Sequence, residues 1–260
     1  MILRRVITHF KKQEWTAIFL DFLIVVLGVF IGTNVTNWND ARKTEERSRT
    51  FTERLNGDLR AEYVYALALR DYNADVLKAG ETAYDGLKGV RQVDERDILI
   101  GAFRATQFNW YERRRAAFDE LVATSSLDLI KNARLRQIAI IYYNTPLFAS
   151  MQQAGMTDSY RDKLSEILEP GVRKALRESC GDREYGSKGG AVGLLEIGYP
   201  CAPSLTDAQV SEAVSQMRAD AELLPALRSK MSRASGWIYD IELTLKSADV
   251  AALFPEEGTP

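Results

Sequence analysis

A long apolar stretch near the start of the chain is the strongest pattern in the sequence. Across residues 17–37 the only ionisable residue is Asp21. A helix of about 21 residues is roughly 31 Å long, which matches the hydrocarbon core of a bilayer. Trp15 and Trp38 flank this stretch, as aromatic residues do at membrane interfaces. The pattern predicts one transmembrane helix over residues 15–38.

The segment before this helix is amphipathic. In "MILRRVITHFKKQE" the apolar residues recur at helical spacing, with basic residues on the other face. Such a helix is suited to an anionic membrane surface. We expect residues 1–14 to form a cytoplasmic amphipathic segment, with a membrane-binding face that comprises Arg4, Arg5, Lys11 and Lys12. A cleaved signal peptide is the alternative, but no A-x-A-like site follows the apolar run.

Beyond the membrane span, a helical period continues without a proline as far as Gly89. Apolar and small residues recur at three- or four-residue steps or their multiples, which is typical of an amphipathic helix. They are Phe51, Leu55, Leu59, Ala66, Asn73, Leu77 and Tyr84. The pattern predicts a long stalk helix that continues from the span and ends near Gly86 and Gly89.

Shorter helical patterns fill the rest of the chain. One begins at Asp94, a second covers residues 112–127, and a third starts at residue 128, with a break expected at Pro146 and an end at Pro170.

The last helix is predicted to start at the capping box of Thr206 and Gln209 and to run toward Lys246 with a bend at Pro225. The segment "GLLEIG" has the pattern of one strand without a partner.

We therefore predict an all-α fold, in which one transmembrane helix is followed by an antiparallel helical bundle over residues 39–254. Residues 255–260 are expected to form a loose tail.

Composition narrows the classes of function. The 260 residues are 46% hydrophobic and 27% charged, which is typical of a folded chain. The formal net charge is −2, and this argues against nucleic acid as a partner, since binding it needs a clustered basic surface.

The orientation of the span depends on the cysteines. Lys and Arg residues are equally frequent on the two sides of the span, so the positive-inside rule alone gives a tie. Cys180 and Cys201 are the only cysteines, and they flank a glycine-rich segment that a disulfide would fix. Disulfides persist in oxidising compartments, whereas two free thiols are the alternative. We expect a cytoplasmic N-terminus and a periplasmic bundle at the bacterial inner membrane.

Two stretches carry a resemblance to known proteins. They are "WTAIFLDFLIVVLGVFIGTNVTNWND" and "FDELVATSSLDLIKNARLRQIAIIYYN". The chain resembles an uncharacterised family of bacterial single-pass membrane proteins, in which an N-terminal span ends in a Trp-Asn pair and a helical region follows. The resemblance implies the topology and a bacterial source, and it implies no catalytic residue.

One edge of the span is small and polar. Gly28 and Gly32 form a G-x-x-x-G motif, which lets two membrane helices approach closely. At about 100° per residue, Asp21 falls within roughly 20° of both glycines. Asn39 continues this edge and Thr36 lies near it. We predict an interface with another membrane helix here, either in a partner subunit or in a homodimer. The alternatives are a protonated or interface-seeking Asp21 and a role in proton transfer.

Catalytic chemistry has little support in the sequence. The only histidine is His9, so no Ser-His or Cys-His nucleophile is expected in the outer domain. The ligand patterns of zinc, haem and nucleotide sites are lacking, and no cofactor is predicted. A hydrolase that uses only carboxylate side chains for catalysis is the remaining enzymatic alternative.

We interpret two residue clusters as structural and not as functional sites. We interpret the arginines at 113–115 as a solvated helix face, with lipid headgroups or an acidic partner as the alternative. Tyr142 and Tyr143 lie among isoleucines, and we expect them to belong to the core.

These patterns favour a non-enzymatic accessory subunit that packs against a larger inner-membrane complex, such as a respiratory or photosynthetic one. The alternative is a periplasmic ligand-sensing bundle that acts through a partner. A concave, partly polar pocket between helices would favour the second hypothesis, and a solid core with an exposed apolar strip the first.

Overall fold

The computed structural model describes residues 15–185 and 194–254, and side chains from residue 19 onward. The predicted amphipathic segment 1–14, with Arg4, Arg5, Lys11 and Lys12, lies outside the described residues, as do the Trp15 side chain and the tail 255–260.

The longest element is a single helix that begins in the apolar segment. Helix α1 runs unbroken through 74 residues, Trp15–Lys88. It contains no proline and ends where Gly89 adopts a left-handed conformation with φ of 73°, which favours glycine. The stretch from Phe19 is long and apolar enough to cross a membrane, with a mean hydropathy of 2.0 and no buried residue in its apolar window. The predicted continuity of span and stalk is confirmed.

Eight shorter helices follow α1 among the described residues. They are α2 Glu95–Ala105, α3 Ala116–Ala123, α4 Ala133–Tyr143, α5 Leu147–Met156, α6 Ser159–Ile167, α7 Pro170–Cys180, α8 Asp207–Ala219 and α9 Leu223–Ser247. Single 3-10 turns lie at Leu127–Leu129 and Val250–Leu253. The all-α prediction is confirmed, and the one described sheet has two short strands.

Helices α2 and α9 pack along the second half of α1. Ile98 of α2 lies beside Gly86, and Gly101 lies beside Ala79 and Ala83, so α2 runs antiparallel to α1. A Cβ at Gly101 would stand 2.7 Å from the Ala79 carbonyl oxygen, so this close approach requires glycine. Helix α9 also runs antiparallel, because Leu227 near its start contacts Gly80 and its far end leads to the ring of Phe254 beside Tyr63.

Two hydrophobic cores lie at different levels of α1. The proximal core, nearer the apolar segment, includes Phe51, Leu55, Leu59, Phe118, Leu121, Tyr142, Tyr143, Ile241 and Leu245. The distal core includes Ile98, Leu99, Phe103, Tyr160, Leu164, Leu176, Val214, Leu223 and Leu227. Tyr142 and Tyr143 are buried in the proximal core, as predicted.

Several helix boundaries follow the predicted signals. Asp94 caps α2 by accepting a hydrogen bond from the Arg96 backbone N–H at 2.8 Å. Thr206 and Gln209 form the predicted capping box of α8. Pro146 separates α4 from α5.

The third helical pattern ends just before Pro170, as predicted, because α6 ends at Ile167. A further helix after this end was not predicted. Pro170 begins α7, since a proline at the first helical position loses no intrahelical hydrogen bond.

The predicted bend at Pro225 is wrong. The chain breaks earlier, where the Asp220 carboxylate accepts backbone hydrogen bonds from Glu222 and Leu223 at 2.9 and 2.8 Å. Pro225 lies in the first turn of α9 and is tolerated there.

The segment "GLLEIG" does find a partner strand. Strand β2, Leu194–Glu196, pairs antiparallel with β1, Arg183–Tyr185. The prediction of a lone strand is therefore wrong.

A disulfide joins Cys180, the last residue of α7, to Cys201, with their Cα atoms 5.3 Å apart. It closes the segment that contains the two strands and anchors this segment to the distal core, in which the Cys180 side chain is buried. The predicted pairing is confirmed.

Removing the disulfide is expected to destabilise the bundle. The bridge spans a sequence separation of 21 residues, and a loop of this size corresponds to about 3 kcal/mol in the chain-entropy model. We predict that the double variant Cys180→Ser/Cys201→Ser loses about 3 kcal/mol of unfolding free energy in denaturant titration. Wild-type protein treated with reductant should show the same loss. An unchanged midpoint in both samples would contradict the prediction.

Candidate functional site

The predicted membrane-helix interface lies on a part of α1 that touches no other element. All residues from Phe19 to Arg47 are exposed. A Cβ added at Gly28 or Gly32 would meet no atom within 4 Å, so both backbones are open to the approach of another helix. The structure therefore leaves the edge of Asp21, Gly28 and Gly32 uncovered by the chain's own described residues.

Three hydroxyl and amide side chains of the apolar segment are satisfied within the helix. The Thr36 hydroxyl donates to the Gly32 carbonyl at 3.0 Å. Thr33 and Asn34 both donate to the Phe30 carbonyl, at 2.9 and 2.8 Å. This back-bonding lowers the cost of placing polar side chains in an apolar environment, because each donor already has an acceptor.

Asp21 differs from these residues. No described side chain forms an ion pair or hydrogen bond with its carboxylate. An ionised aspartate facing lipid costs about 2.5–3.5 kcal/mol at the centre of a span, and less nearer the surface. Asp21 is therefore the group on this edge that gains most from a partner.

The remaining predicted anchors are also exposed. Trp38 is 67% exposed at the end of the apolar stretch, and Asn39 follows it on the same rod. The bundle begins close by, where Lys131 pairs with Glu45 and the Ser48 hydroxyl donates to the Leu129 carbonyl at 2.5 Å. The rise of a helix places Glu45 only about 10 Å beyond Trp38.

A buried ion pair that the sequence did not reveal lies in the proximal half of the bundle. The Glu62 side chain is fully buried, and its Oε2 accepts from Arg113 Nε at 2.6 Å. Its Oε1 accepts from the Arg114 backbone N–H at 2.6 Å. The Tyr142 hydroxyl donates to the Glu62 backbone carbonyl at 3.3 Å. The two arginine contacts attach the segment between α2 and α3 to α1, and the Tyr142 contact attaches α4 to α1.

Aromatic rings enclose the same ion pair. The Arg113 guanidinium carbon lies 4.4 Å from the ring centre of Phe148 and 5.1 Å from that of Tyr142. Burial raises the pKa of Glu62 above its ordinary value, although Arg113 opposes this shift. The interpretation of residues 113–115 as a solvated helix face is wrong for Arg113, since the segment is not helical and this side chain is only 17% exposed.

A second buried ion pair joins α9 to the start of α6. Lys230 Nζ lies 2.5 Å from Asp158 Oδ2, and both side chains are almost fully buried. Asp158 also caps α6 by accepting from the Tyr160 backbone N–H at 3.0 Å. Burial lowers the pKa of Lys230. Each charge offsets the desolvation of the other, so the pair positions two helices.

Among the described residues, no group of three His, Cys, Asp or Glu side chains is placed to hold a metal ion. Comparisons of the chain with protein-family models, with curated proteins and with solved structures found no match. The resemblance to a bacterial single-pass family stays a prediction.

The buried ion pair generates a pH-dependent prediction. Arg113→Met would leave the Glu62 carboxylate buried without its cation, at a cost of about 3 kcal/mol in unfolding free energy at neutral pH. Loss of the cation raises the pKa of Glu62 further in the folded state. Folding of the variant then takes up a proton. The loss of unfolding free energy should therefore shrink as the pH falls through the raised pKa of Glu62 toward the ordinary pKa of a glutamate. Denaturant unfolding at pH 8 and pH 5 measures both effects.

Arg115→Met is the matched control. Arg115 pairs with Asp119 on the surface, with both side chains about half exposed, and such a pair contributes about 0.5 kcal/mol. If the two variants lost the same stability, or if the Arg113→Met loss did not depend on pH, the assignment of a buried compensating pair would be wrong.

Proposed function

We propose that this protein is a single-pass, membrane-anchored accessory subunit that packs against a larger protein complex in the bacterial inner membrane. The span would bind another membrane helix through Asp21, Gly28 and Gly32. The bundle would contact the outer face of the same complex. The observation that carries the proposal is that this edge lies on an apolar helix segment that the described bundle leaves uncovered.

The continuity of α1 supports a scaffolding role. Because one helix without proline links the apolar segment to both cores, a partner that binds the span also fixes the orientation of the bundle. A flexible linker would allow independent rotation, which suits a tether better than a structural subunit. The short distance between Trp38 and Glu45 keeps the proximal end of the bundle near the membrane surface.

The disulfide supports a periplasmic position for the bundle, because such bridges persist in oxidising compartments. With the bundle outside, the N-terminus lies in the cytoplasm, where Arg4, Arg5, Lys11 and Lys12 would meet anionic lipid.

A second candidate function has one observation in its favour. The bundle contains a concave, partly polar cavity of about 460 Å³ between helices, which is within the size range of small-molecule sites. A periplasmic ligand-sensing bundle that acts through a membrane partner would use such a cavity. The partner interface is common to both candidates.

Variants of the span test the proposed interface. Asp21→Leu removes the polar contact, and Gly28→Ile/Gly32→Ile blocks close approach of a second helix. After extraction in mild detergent, we expect the tagged wild-type protein to co-purify with another membrane protein and both variants to lose it. Val26→Phe adds bulk on the opposite side of the helix and should retain the partner.

The mass of the purified species separates the outcomes. A hetero-complex that depends on the edge supports the proposal, whereas a species that contains only this chain as a dimer would replace it with a homodimer. A monomeric wild-type protein that behaves like the Asp21→Leu variant would contradict both.

A further inference from the structure

The 460 Å³ cavity has a basic lining. It lies where the end of α2 meets α6 and α7, and three guanidinium groups line it: Arg161, Arg173 and Arg177. The only carboxylate in its lining is Asp182. This local excess of positive charge occurs in a chain whose net charge is −2.

Arg161 is fixed in place by backbone carbonyls. Its Nε and Nη2 donate to the Thr106 carbonyl at 3.0 and 2.8 Å, and its Nη1 donates to the Gly155 carbonyl at 3.1 Å. These acceptors are neutral, so they orient the guanidinium without cancelling its charge. Arg161 therefore supplies a rigid positive field at the cavity.

Arg173 and Arg177 lie one turn apart on α7. Neither forms an ion pair or hydrogen bond with the residues that the structure describes. The Nε of Arg173 is buried and has no acceptor there. A buried guanidinium donor without an acceptor is costly, and an anionic group in the cavity would remove that cost.

Asp182 offsets only part of the positive charge of this cluster. Its Oδ1 accepts a hydrogen bond from the Tyr72 hydroxyl at 2.7 Å, and no described cation lies within ion-pair distance. Its single negative charge leaves an excess of two positive charges in the lining at neutral pH.

The same cavity has apolar walls. Phe103, Leu164 and Leu168 line it, and all three belong to the distal core and are at least nine-tenths buried. A phosphate ion alone would contact only the polar part of this lining. A ligand with an oxyanion head and an apolar body would satisfy both kinds of lining.

We propose that this cavity binds a small organic oxyanion, a carboxylate or a phosphate ester with an apolar body, through Arg173 and Arg177 in the field of Arg161. The planar guanidinium matches both oxyanions by paired hydrogen bonds. No residue of the apolar segment lines the cavity, so the site is separate from the span. The proposal does not depend on the membrane partner.

Three aromatic probes test the site on the full-length protein in detergent micelles, by isothermal titration calorimetry. Benzoate and phenyl phosphate carry the two oxyanion heads, and benzamide is the neutral isostere of benzoate. We expect saturable binding of at least one anion and none of benzamide. Arg173→Gln and Arg177→Gln should each weaken the binding of that anion by about tenfold or more, as expected for loss of a charge-assisted hydrogen bond.

Lys174→Gln is the matched control. Lys174 lies on the same helix, is 75% exposed and pairs with Glu178, so its loss removes the same charge outside the cavity. Benzoate or phenyl phosphate affinity should be unchanged in this variant. Arg177 is exposed, so its variant should unfold at the wild-type midpoint, which separates loss of binding from loss of fold.

Three results would overturn the proposal. They are the lack of saturable binding by both anions, benzamide binding as tightly as benzoate, and anion affinity that is unchanged in both arginine variants. Any difference in affinity between benzoate and phenyl phosphate identifies which head the site prefers.

Discussion

One unbroken helix has an exposed apolar part and a part that the bundle buries, and the rest of the structure depends on this continuity. Its first part is apolar and exposed, whereas its second part is buried on several sides by the bundle. A helix satisfies its own backbone hydrogen bonds, so it is suited to a membrane as well as to water. No hinge separates the two parts, and contacts made by the apolar segment therefore constrain the orientation of both cores.

Charges, as well as apolar contacts, hold the bundle on this helix. The irregular segment between α2 and α3 is attached near both of its ends. Lys230, which is paired with Asp158, donates to the Gln107 carbonyl at 3.4 Å, while Glu62 binds Arg113 and the Arg114 backbone. A segment without regular secondary structure needs such partners, because its backbone groups are not satisfied internally. The Lys230 contact thus attaches the start of this segment to α9, and the Glu62 contacts attach its end to α1.

Local patterns in the sequence predicted most of the helices, and they missed the side-chain contacts between them. Helical period and the lack of proline predicted α1, and the signals at Asp94 and Thr206 predicted two helix starts. The pairing of Glu62 with Arg113 joins residues 51 positions apart, and no periodicity encodes such a contact.

The cavity was missed for a related reason. The spacing of Arg173 and Arg177 is visible in the sequence, but no helix was predicted from Pro170 to Cys180, and Arg161 comes from another helix. Strand β1, with three residues, is also too short to show an alternating pattern, whereas its partner lies in the predicted "GLLEIG" strand. By contrast, the edge of Asp21, Gly28 and Gly32 follows from helical geometry alone.

Photo-cross-linking in native membranes tests the central claim, that protein covers this edge. A photoreactive phenylalanine analogue would replace Val25 or Val35, which flank the glycines, and Leu23 or Phe30 on the opposite side of the helix. The account predicts protein adducts from the first two positions and lipid adducts alone from the other two. Lipid adducts alone from all four positions would contradict it.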